Sequence, residues 1–259
     1  MGEDPTFSGA IDVVYLVGTG AADTDDWELR ISLRSWLQHF PELRTLWIVG
    51  HRPGWLDLDH PRIRYLAAGD PYQKNKDANL IQKMIRVAME PDVTEDFIFC
   101  SDDQGLLKDC VFSDFRPYHS GPIRKMKLGD GGHRKWQERM LALADFLEKR
   151  GHGTTNFDGH IPYPMKKTLA MEFLETDFGV GGYPIMSLYF NLTGATGIPL
   201  DSDRIRAGMY SNSEKPSTVD DKLGKNRFYS IGGGSPDCWY LVRRLEERFP
   251  APAPWEIGT

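Results

Sequence analysis

Two adjacent carboxylates follow a run of strand-forming residues in this chain. Residues 97–100 (Phe-Ile-Phe-Cys) are apolar enough to lie buried in a sheet, and Ser101, Asp102, Asp103 and Gln104 come directly after them. In open α/β folds, the carboxyl ends of the strands border the crevice that binds ligands. Carboxylate oxygens suit Mg²⁺ or Mn²⁺ carrying a diphosphate. Asp102 and Asp103 are therefore candidate metal ligands, although a simple turn also explains the pair taken alone.

The elements before this pair alternate between strand and helix patterns. Short apolar or β-branched runs at 11–17, 46–49 and 63–66 are typical of buried strands. Helical spacing connects them, with Leu29, Leu33 and Trp36 in one helix and residues 75–89 in another. Strand, helix and strand in this order predict parallel βαβ units. We therefore predict an α/β fold, a three-layer α/β/α core with a mainly parallel central sheet.

The second half of the sequence is less regular. Residues 133–150 have helical periodicity, and a stripe that begins at Trp136 is most simply core. Residues 211–226 are polar, which predicts a mobile loop that is either an active-site flap or a disordered insertion. We predict a single domain over residues 1–259, in which residues 11–120 bind the donor and residues 121–250 lie on the acceptor side.

Composition and charge exclude several classes of protein. The chain has 259 residues, of which 40% are hydrophobic, so it can bury a substantial core. Its net charge of −6 argues against a surface built for non-specific nucleic-acid binding. No apolar run approaches the roughly 20 residues that span a bilayer, and the first residues do not resemble a signal peptide. These features predict an intracellular, cytoplasmic protein without a membrane span.

Several blocks of the sequence carry a family resemblance. They are residues 12–15 (Asp-Val-Val-Tyr), 27–35 (Trp-Glu-Leu-Arg-Ile-Ser-Leu-Arg-Ser), 46–49, 53–56, 60–64 and 97–103, with a weaker match at 160–167. In this order they resemble the Stealth family, the sugar-phosphate transferases of capsule synthesis and of lysosomal enzyme tagging. An ordered series of blocks is more specific than any one of them. One departure is the sequence after the first strand, which reads Leu16-Val-Gly-Thr-Gly20 where family members usually have Trp-Val-Asn/Asp-Gly.

The resemblance implies a nucleotide-sugar site on a fold related to GT-A glycosyltransferases. It implies that Asp102 and Asp103 hold Mn²⁺ or Mg²⁺, with Asp103 also catalytic. Glu28 and Arg34 would lie at the donor or catalytic site, and His160 beside the reacting phosphate. The other donor-binding candidates are Gly18, Thr19, Arg30, His51, Asn75, Lys76, Asn79 and Lys167.

Each candidate also has a purely structural interpretation. Glu28 could favour the helix dipole, and Arg30 and Arg34 could be surface partners of acidic neighbours. Asn75 and Lys76, together with Lys74, could be a solvated helix start. Asp70 is a further candidate for acid or base chemistry. The loop at residues 18–20 lacks the third glycine of a dinucleotide fingerprint, so it gives NAD binding little support.

Two reactions are consistent with these residues. Attack at the sugar C1 would release a nucleoside diphosphate, as in a glycosyltransferase; attack at the β-phosphate would release a nucleoside monophosphate, as the Stealth resemblance implies. We predict glycosyl transfer from a UDP-sugar, and keep sugar-1-phosphate transfer as the alternative. The acceptor could be a saccharide, a protein glycan or a hydroxylated base in DNA. A non-catalytic sugar- or nucleotide-binding module is the second class of function.

Overall fold

The fold is seen in a computed structural model, which describes residues 10–18, 26–73, 75–127, 129, 131–175, 182–201, 204–209, 215–232 and 239–258. The first half contains β1 (Ile11–Val17), α1 (Trp27–His39), β2 (Leu43–Gly50), β3 (Ile63–Ala67), α2 (Lys76–Met89), β4 (Asp96–Cys100), β5 (Gln104–Leu106) and β6 (Tyr118–His119). The second half contains α3 (Gly131–Glu148), β7 (Tyr163–Lys166), α4 (Lys167–Ala170), α5 (Ile185–Leu192), β8 (Ile198–Pro199), β9 (Arg206–Met209), α6 (Pro216–Lys225), β10 (Phe228–Ile231) and α7 (Trp239–Arg248). Short 3-10 helices lie at Phe112–Asp114, Ile123–Lys125 and Met171–Glu175.

A five-stranded sheet forms the centre of the molecule, in the order β3-β2-β1-β4-β7. β1 pairs in parallel with β2 and with β4, and β2 pairs in parallel with β3. The side chains of β1 are buried from Asp12 to Leu16 on both faces, as expected when helices cover a parallel sheet. The predicted α/β class with a mainly parallel sheet is therefore confirmed.

The two helices that connect these strands bury one stripe each. In α1, Leu29, Leu33 and Trp36 are completely buried at intervals of four and three residues. The helix α1 ends at His39, and Pro41, which cannot continue a helix, follows two residues later. In α2, the side chain of Asn75 accepts a hydrogen bond from the backbone N–H of Ala78 at 3.1 Å, which caps the helix.

The strand β7 is a feature that the sequence analysis missed. It pairs antiparallel to β4 at the edge of the sheet, with Pro164 opposite Ile98. A proline has no backbone N–H to donate, so within sheets it occurs mainly on edge strands, and this one interrupts the strand pattern in the sequence.

The second half is more ordered than predicted. β10 pairs antiparallel to β5 and parallel to β9, which gives a second, three-stranded sheet. The polar segment predicted as a mobile loop contains α6, whose Val219 and Leu223 are buried, while residues 211–214 lie outside the described part of the chain. A separate β6–β8 pair completes the strands described. None of the described helices combines the length and the apolar character that crossing a membrane requires.

Candidate functional site

A cavity of about 680 Å³ lies at the carboxyl ends of β1 and β4. Gly18, which follows β1, lines it together with Asp102 and Asp103, which follow β4. Because parallel strands end at the same edge of a sheet, residues far apart in the sequence meet here. Glu28 at the start of α1, Lys76 at the start of α2 and His160 before β7 complete this part of the wall.

The turn that carries Asp102 and Asp103 is held on both sides. On one side, Ser32 donates a hydrogen bond to the Gln104 carbonyl, and Ser35 accepts one from the backbone N–H of Leu106 at 3.0 Å. On the other side, the Asp103 carbonyl accepts a hydrogen bond from Ile231 N–H at 2.8 Å. The serines of α1 therefore fix β5 and, through it, the turn that links the two sheets.

Glu28 and Asp103 occupy an electrostatically unfavourable environment. Burial raises the pKa of Glu28 to about 7, and the nearby Asp102 carboxylate adds to this effect while Lys76 opposes it. Burial and then the charge of Asp102 likewise raise the pKa of Asp103 to about 7, with His160 and Lys76 acting in the opposite direction. These influences show that the five groups share one electrostatic environment.

The charges lining the whole cavity do not balance. Among the described residues, three Lys or Arg side chains line it, namely Lys76, Lys83 and Arg139, together with His160. Seven carboxylates line it: Asp26, Glu28, Asp70, Asp77, Asp102, Asp103 and Asp158. A cavity with surplus negative charge favours cations, or an anion that arrives with its own metal.

Asp102 and Asp103 fit a divalent cation that a diphosphate helps to hold. Among the residues that the structure describes, no group of three or more His, Cys, Asp or Glu forms a preassembled metal site. Mg²⁺ is commonly bound by only one or two carboxylates, with substrate phosphates and water supplying the remaining oxygens. Burial and then the charge of Asp102 raise the pKa of Asp103, and a bound cation would favour its ionised form. Asp102 and Asp103 are therefore suitable ligands for a divalent cation that also binds a diphosphate.

Lys83 is a buried cation that the sequence analysis overlooked. Its side chain is 1% exposed, and its Nζ donates to the Val17 carbonyl at 2.9 Å and to Asp70 Oδ1 at 2.6 Å. It thereby joins the end of β1 to Asp70, the residue considered for acid or base chemistry. Lys83 lies seven residues after Lys76, two turns along the same helix face, and that spacing was the available signal.

His160 lies in a strained segment of the cavity wall. Its φ of 48° is in the left-handed region, which is unusual for a residue other than glycine. Its Nε2 is 4.0 Å from Asp158 Oδ1, and Asp158 Oδ2 accepts a hydrogen bond from Trp136 Nε1 at 2.7 Å. Trp136 is only partly buried and lines the cavity, so its assignment to the core stripe was incomplete.

Arg34 is not among the described residues that line this cavity, so its position gives no support to the role that the resemblance implied. Its Nε and Nη2 each donate to Glu256 at 2.6 Å, and its Nη1 donates to the Phe249 carbonyl at 3.1 Å. The Glu256 carboxylate is completely buried in this bidentate pair. Arg34 therefore ties the C-terminal segment to α1. Arg30 likewise does not line the cavity, and its guanidinium lies over the Trp55 ring at 4.7 Å.

Lys167 is also far from the predicted donor site. Its Nζ donates to the carbonyl of Val93 at 2.8 Å and to those of Glu90 and Pro91 at 3.3 Å. These carbonyls precede β4, whereas Asp102 follows it, so the strand separates the two places by roughly 15 Å. Lys167 stabilises the connection between α2 and β4.

The remaining donor-binding candidates differ in their position relative to the cavity. Asn79 lines it, but its amide accepts from Tyr72 N–H and donates to the Gln73 carbonyl, both at 3.0 Å, and so holds the preceding loop. Asn75 caps α2 and is not among the lining residues. His51 Nε2 lies 3.6 Å from Oδ2 of Asp26, which does line the cavity. Thr19 and Lys74 lie outside the described residues.

Comparison with known sequences gives a partial match. No protein-family profile matches the chain. In an alignment of 105 residues that covers 38% of its length, the chain is 32% identical to the N-acetylglucosamine-1-phosphotransferase subunits alpha/beta of Mus musculus and 31% identical to those of Homo sapiens. The match spans 8% of the length of those relatives. Sequence similarity to a sugar-phosphate transferase therefore extends over a limited part of the chain.

Comparison with solved structures covers most of the chain. A galactosyltransferase, LgtC, crystallised with donor and acceptor sugar analogs, aligns with a TM-score of 0.50 at 13% identity, covering 93% of this chain and 95% of that one. At such low identity the match shows the fold alone. The sequence relatives and the solved structure described above are all transferases by name, in agreement with the prediction of an enzyme. The chain thus has the GT-A-like fold of a galactosyltransferase, and part of its sequence is similar to a sugar-phosphate transferase.

Proposed function

We propose that this protein is a metal-dependent nucleotide-sugar transferase that moves a sugar from a nucleoside diphosphate sugar to an acceptor hydroxyl. The observation that carries the proposal is the Asp102–Asp103 pair, held at the carboxyl end of β4 in a cavity with surplus negative charge. Such a cavity would repel a free diphosphate. It would accept a diphosphate that shares a divalent cation with the two carboxylates.

In this proposal, each wall residue has a chemical role. A bound Mn²⁺ or Mg²⁺ would neutralise the charge that develops on the leaving diphosphate. Lys76, at the positively polarised start of α2, adds to that stabilisation from the protein. His160 is the candidate base, because it lies on the cavity wall near the acidic pair and can take the proton of the acceptor hydroxyl. Glu28, which lines the cavity and is affected by the charge of Asp102, is the candidate to accept a hydrogen bond from a hydroxyl group of the donor.

Glycosyl transfer forms a bond between the acceptor oxygen and the sugar C1 and breaks the bond from C1 to the β-phosphate oxygen. The nucleoside diphosphate leaves, and the acceptor proton goes to His160. In the alternative, the acceptor oxygen attacks the β-phosphorus and a nucleoside monophosphate leaves. The local sequence match to a phosphotransferase favours the second reaction, and the fold, which matches that of a galactosyltransferase over 93% of the chain, is compatible with the first.

Identifying the released nucleotide tests the proposal. The protein is incubated with a panel of nucleotide sugars, Mn²⁺ or Mg²⁺ and a mixture of saccharide acceptors, and the products are separated by ion-exchange chromatography. We expect UDP from a UDP-sugar. UMP would instead establish sugar-1-phosphate transfer. Binding of nucleotide sugars without release of either nucleotide would overturn the proposal and support the non-catalytic binding module.

A further inference from the structure

The cavity has a second wall whose chemistry differs from that of the acidic pair. Trp136 and Arg139 lie three residues apart on α3, so they share a face of that helix, and both line the cavity. Asp158 and Asp77 line it beside them. This wall comes mainly from the second half of the chain, whereas Gly18 and the Asp102–Asp103 turn come from the first.

The polar groups of this wall are fixed by one another. Trp136 Nε1 donates to Asp158 Oδ2 at 2.7 Å, which sets the orientation of the indole. Arg139 Nε donates to Asp77 Oδ2 at 2.5 Å, and the Asp77 side chain is only 8% exposed. Burial raises the pKa of Asp77, Arg139 acts in the opposite direction, and the charge of Asp158 adds to the rise.

We propose that Trp136, Asp158 and Asp77 form the acceptor subsite and that it takes a neutral saccharide. The proposal rests on the proposed function, since it assigns the acceptor of the same cavity. An oriented, partly exposed indole offers a flat apolar surface for the C–H face of a sugar ring. Ionised carboxylates accept hydrogen bonds from sugar hydroxyls. His160, 4.0 Å from Asp158, lies between this subsite and the acidic pair.

The charge of the cavity selects against the other acceptors. A nucleic acid or a sulfated glycan needs several Lys or Arg contacts to its anionic groups. The described lining offers three such cations; Lys83 is ion-paired with Asp70, and Arg139 with Asp77. The described lining carries more carboxylates than cations, and this surplus of negative charge would repel a polyanion. A hydroxylated DNA base is therefore disfavoured as the acceptor, and an uncharged saccharide is favoured.

Saturation-transfer NMR on the full chain with UDP and diamagnetic Mg²⁺ present tests the subsite. The probes are neutral saccharides (methyl mannoside, lactose, maltose and cellobiose), a short single-stranded DNA and a heparin tetrasaccharide. We expect at least one neutral saccharide to bind and both polyanions to fail. Failure of every neutral saccharide, or preferential binding of a polyanion, would overturn the proposal.

Variants locate the binding on this wall. Trp136→Ala should weaken saccharide affinity at least about tenfold, while Trp136→Phe, which keeps a flat ring, should stay within about threefold. Asp158→Asn keeps an oxygen that can accept from the indole but removes the charge, and should weaken binding severalfold. Trp239→Ala is the matched control, because Trp239 is 69% exposed on α7 and does not line the cavity. Saccharide affinity unchanged in both Trp136→Ala and Asp158→Asn would contradict the assignment.

Two further measurements separate this proposal from the proposed function. Far-ultraviolet circular dichroism confirms that each variant is folded, and calorimetry measures UDP affinity, which should be unchanged in all of them. If UDP and UDP-sugars fail to bind the wild type while neutral saccharides bind at Trp136, the transferase function falls and the saccharide subsite stands. If UDP binds and the saccharide affinity is insensitive to Trp136 and Asp158, only the subsite falls.

Discussion

Carboxylates at the two ends of the central sheet have opposite surroundings. At the amino end, Asp12 is completely buried, yet its carboxylate accepts hydrogen bonds from Arg44 Nε at 2.8 Å, Arg44 Nη2 at 2.6 Å, Trp47 Nε1 at 3.0 Å and Thr94 N–H at 2.9 Å. At the carboxyl end, burial and then the charges of Asp102 and Glu28 raise the pKa of Asp103 to about 7.

The difference separates structural charge from functional charge. A carboxylate whose oxygens are satisfied by the fold contributes to stability and has little capacity left for a ligand. Carboxylates held close together cost stability, and natural proteins retain such arrangements mainly where a ligand or reaction needs them. The carboxyl end is therefore where substitutions should affect activity most, and the amino end is where they should affect stability.

The largest expected effect follows from removing one charge of the acidic pair. Asp103→Asn should lower kcat/KM about 10³-fold, or about 4 kcal/mol, because the leaving diphosphate loses a ligand of its cation. Steady-state release of the nucleotide measures this. Asp96→Asn is the matched control, since Asp96 begins the strand that Asp103 follows and pairs with exposed Lys166. Activity of Asp103→Asn within tenfold of the wild type would contradict the metal assignment.

Removing the satisfied carboxylate at the other end should affect stability instead. Asp12→Ala should lower the free energy of unfolding by about 3 kcal/mol, because Arg44 and the Trp47 and Thr94 N–H groups lose their partner. Urea denaturation followed by circular dichroism measures the change. Activity per folded molecule should stay at the wild-type level. A loss of activity without a loss of stability would remove the distinction between the two ends.

The raised pKa of Glu28 predicts a pH-dependent stability. In the folded protein the pKa of Glu28 is about 7, compared with 4.5 ordinarily, so between these values the folded state binds a proton that the unfolded state has lost. The free energy of unfolding of the wild type therefore falls as pH rises through that interval. Glu28→Gln cannot ionise. Relative to the wild type, its free energy of unfolding should gain about 1–2 kcal/mol between pH 4 and pH 8, a value reduced for partial exposure to solvent. Urea denaturation in EDTA measures it, and a pH-independent difference would refute the prediction.

The smallest effect is expected at Lys167, which the resemblance had placed at the donor site. Lys167→Met should lower the free energy of unfolding by at most about 1 kcal/mol, because the carbonyls of Glu90, Pro91 and Val93 can bind water instead. The KM for the nucleotide sugar should be unchanged. A large rise in that KM would show that the amino end of β4 also contributes to donor binding.

Local pattern was sufficient for much of the architecture. The burial of Leu29, Leu33 and Trp36 follows from helical spacing, and the strand at residues 97–100 follows from its unbroken apolar run. The same reasoning missed β7, because Pro164 interrupts the run and only pairing with β4 makes it a strand. It also treated residues 211–226 as a polar loop, although Val219 and Leu223 of α6 are buried.

The candidate site was predictable only in part, because local sequence patterns do not show which distant residues meet in the folded chain. Glu28, Lys76, Asp102, Asp103 and His160 were named from sequence and resemblance, and the structure places all five on one cavity wall. Their catalytic and binding roles stay predictions. No local signal indicated that Trp136 and Asp158 would meet, since their contact joins residues 22 positions apart through the packing of α3.

The sequence by itself determined the alternation of strands and helices and the place of Asp102 and Asp103 at a strand end, because both depend on neighbouring residues. Only the tertiary structure decided which charges are neutralised. Arg34 and Glu28 lie six residues apart on one helix, yet Arg34 is paired with Glu256, 222 positions away, while Glu28 faces the cavity. An ion pair depends on distance in space, so the separation of structural from functional charge emerges only when the chain has folded.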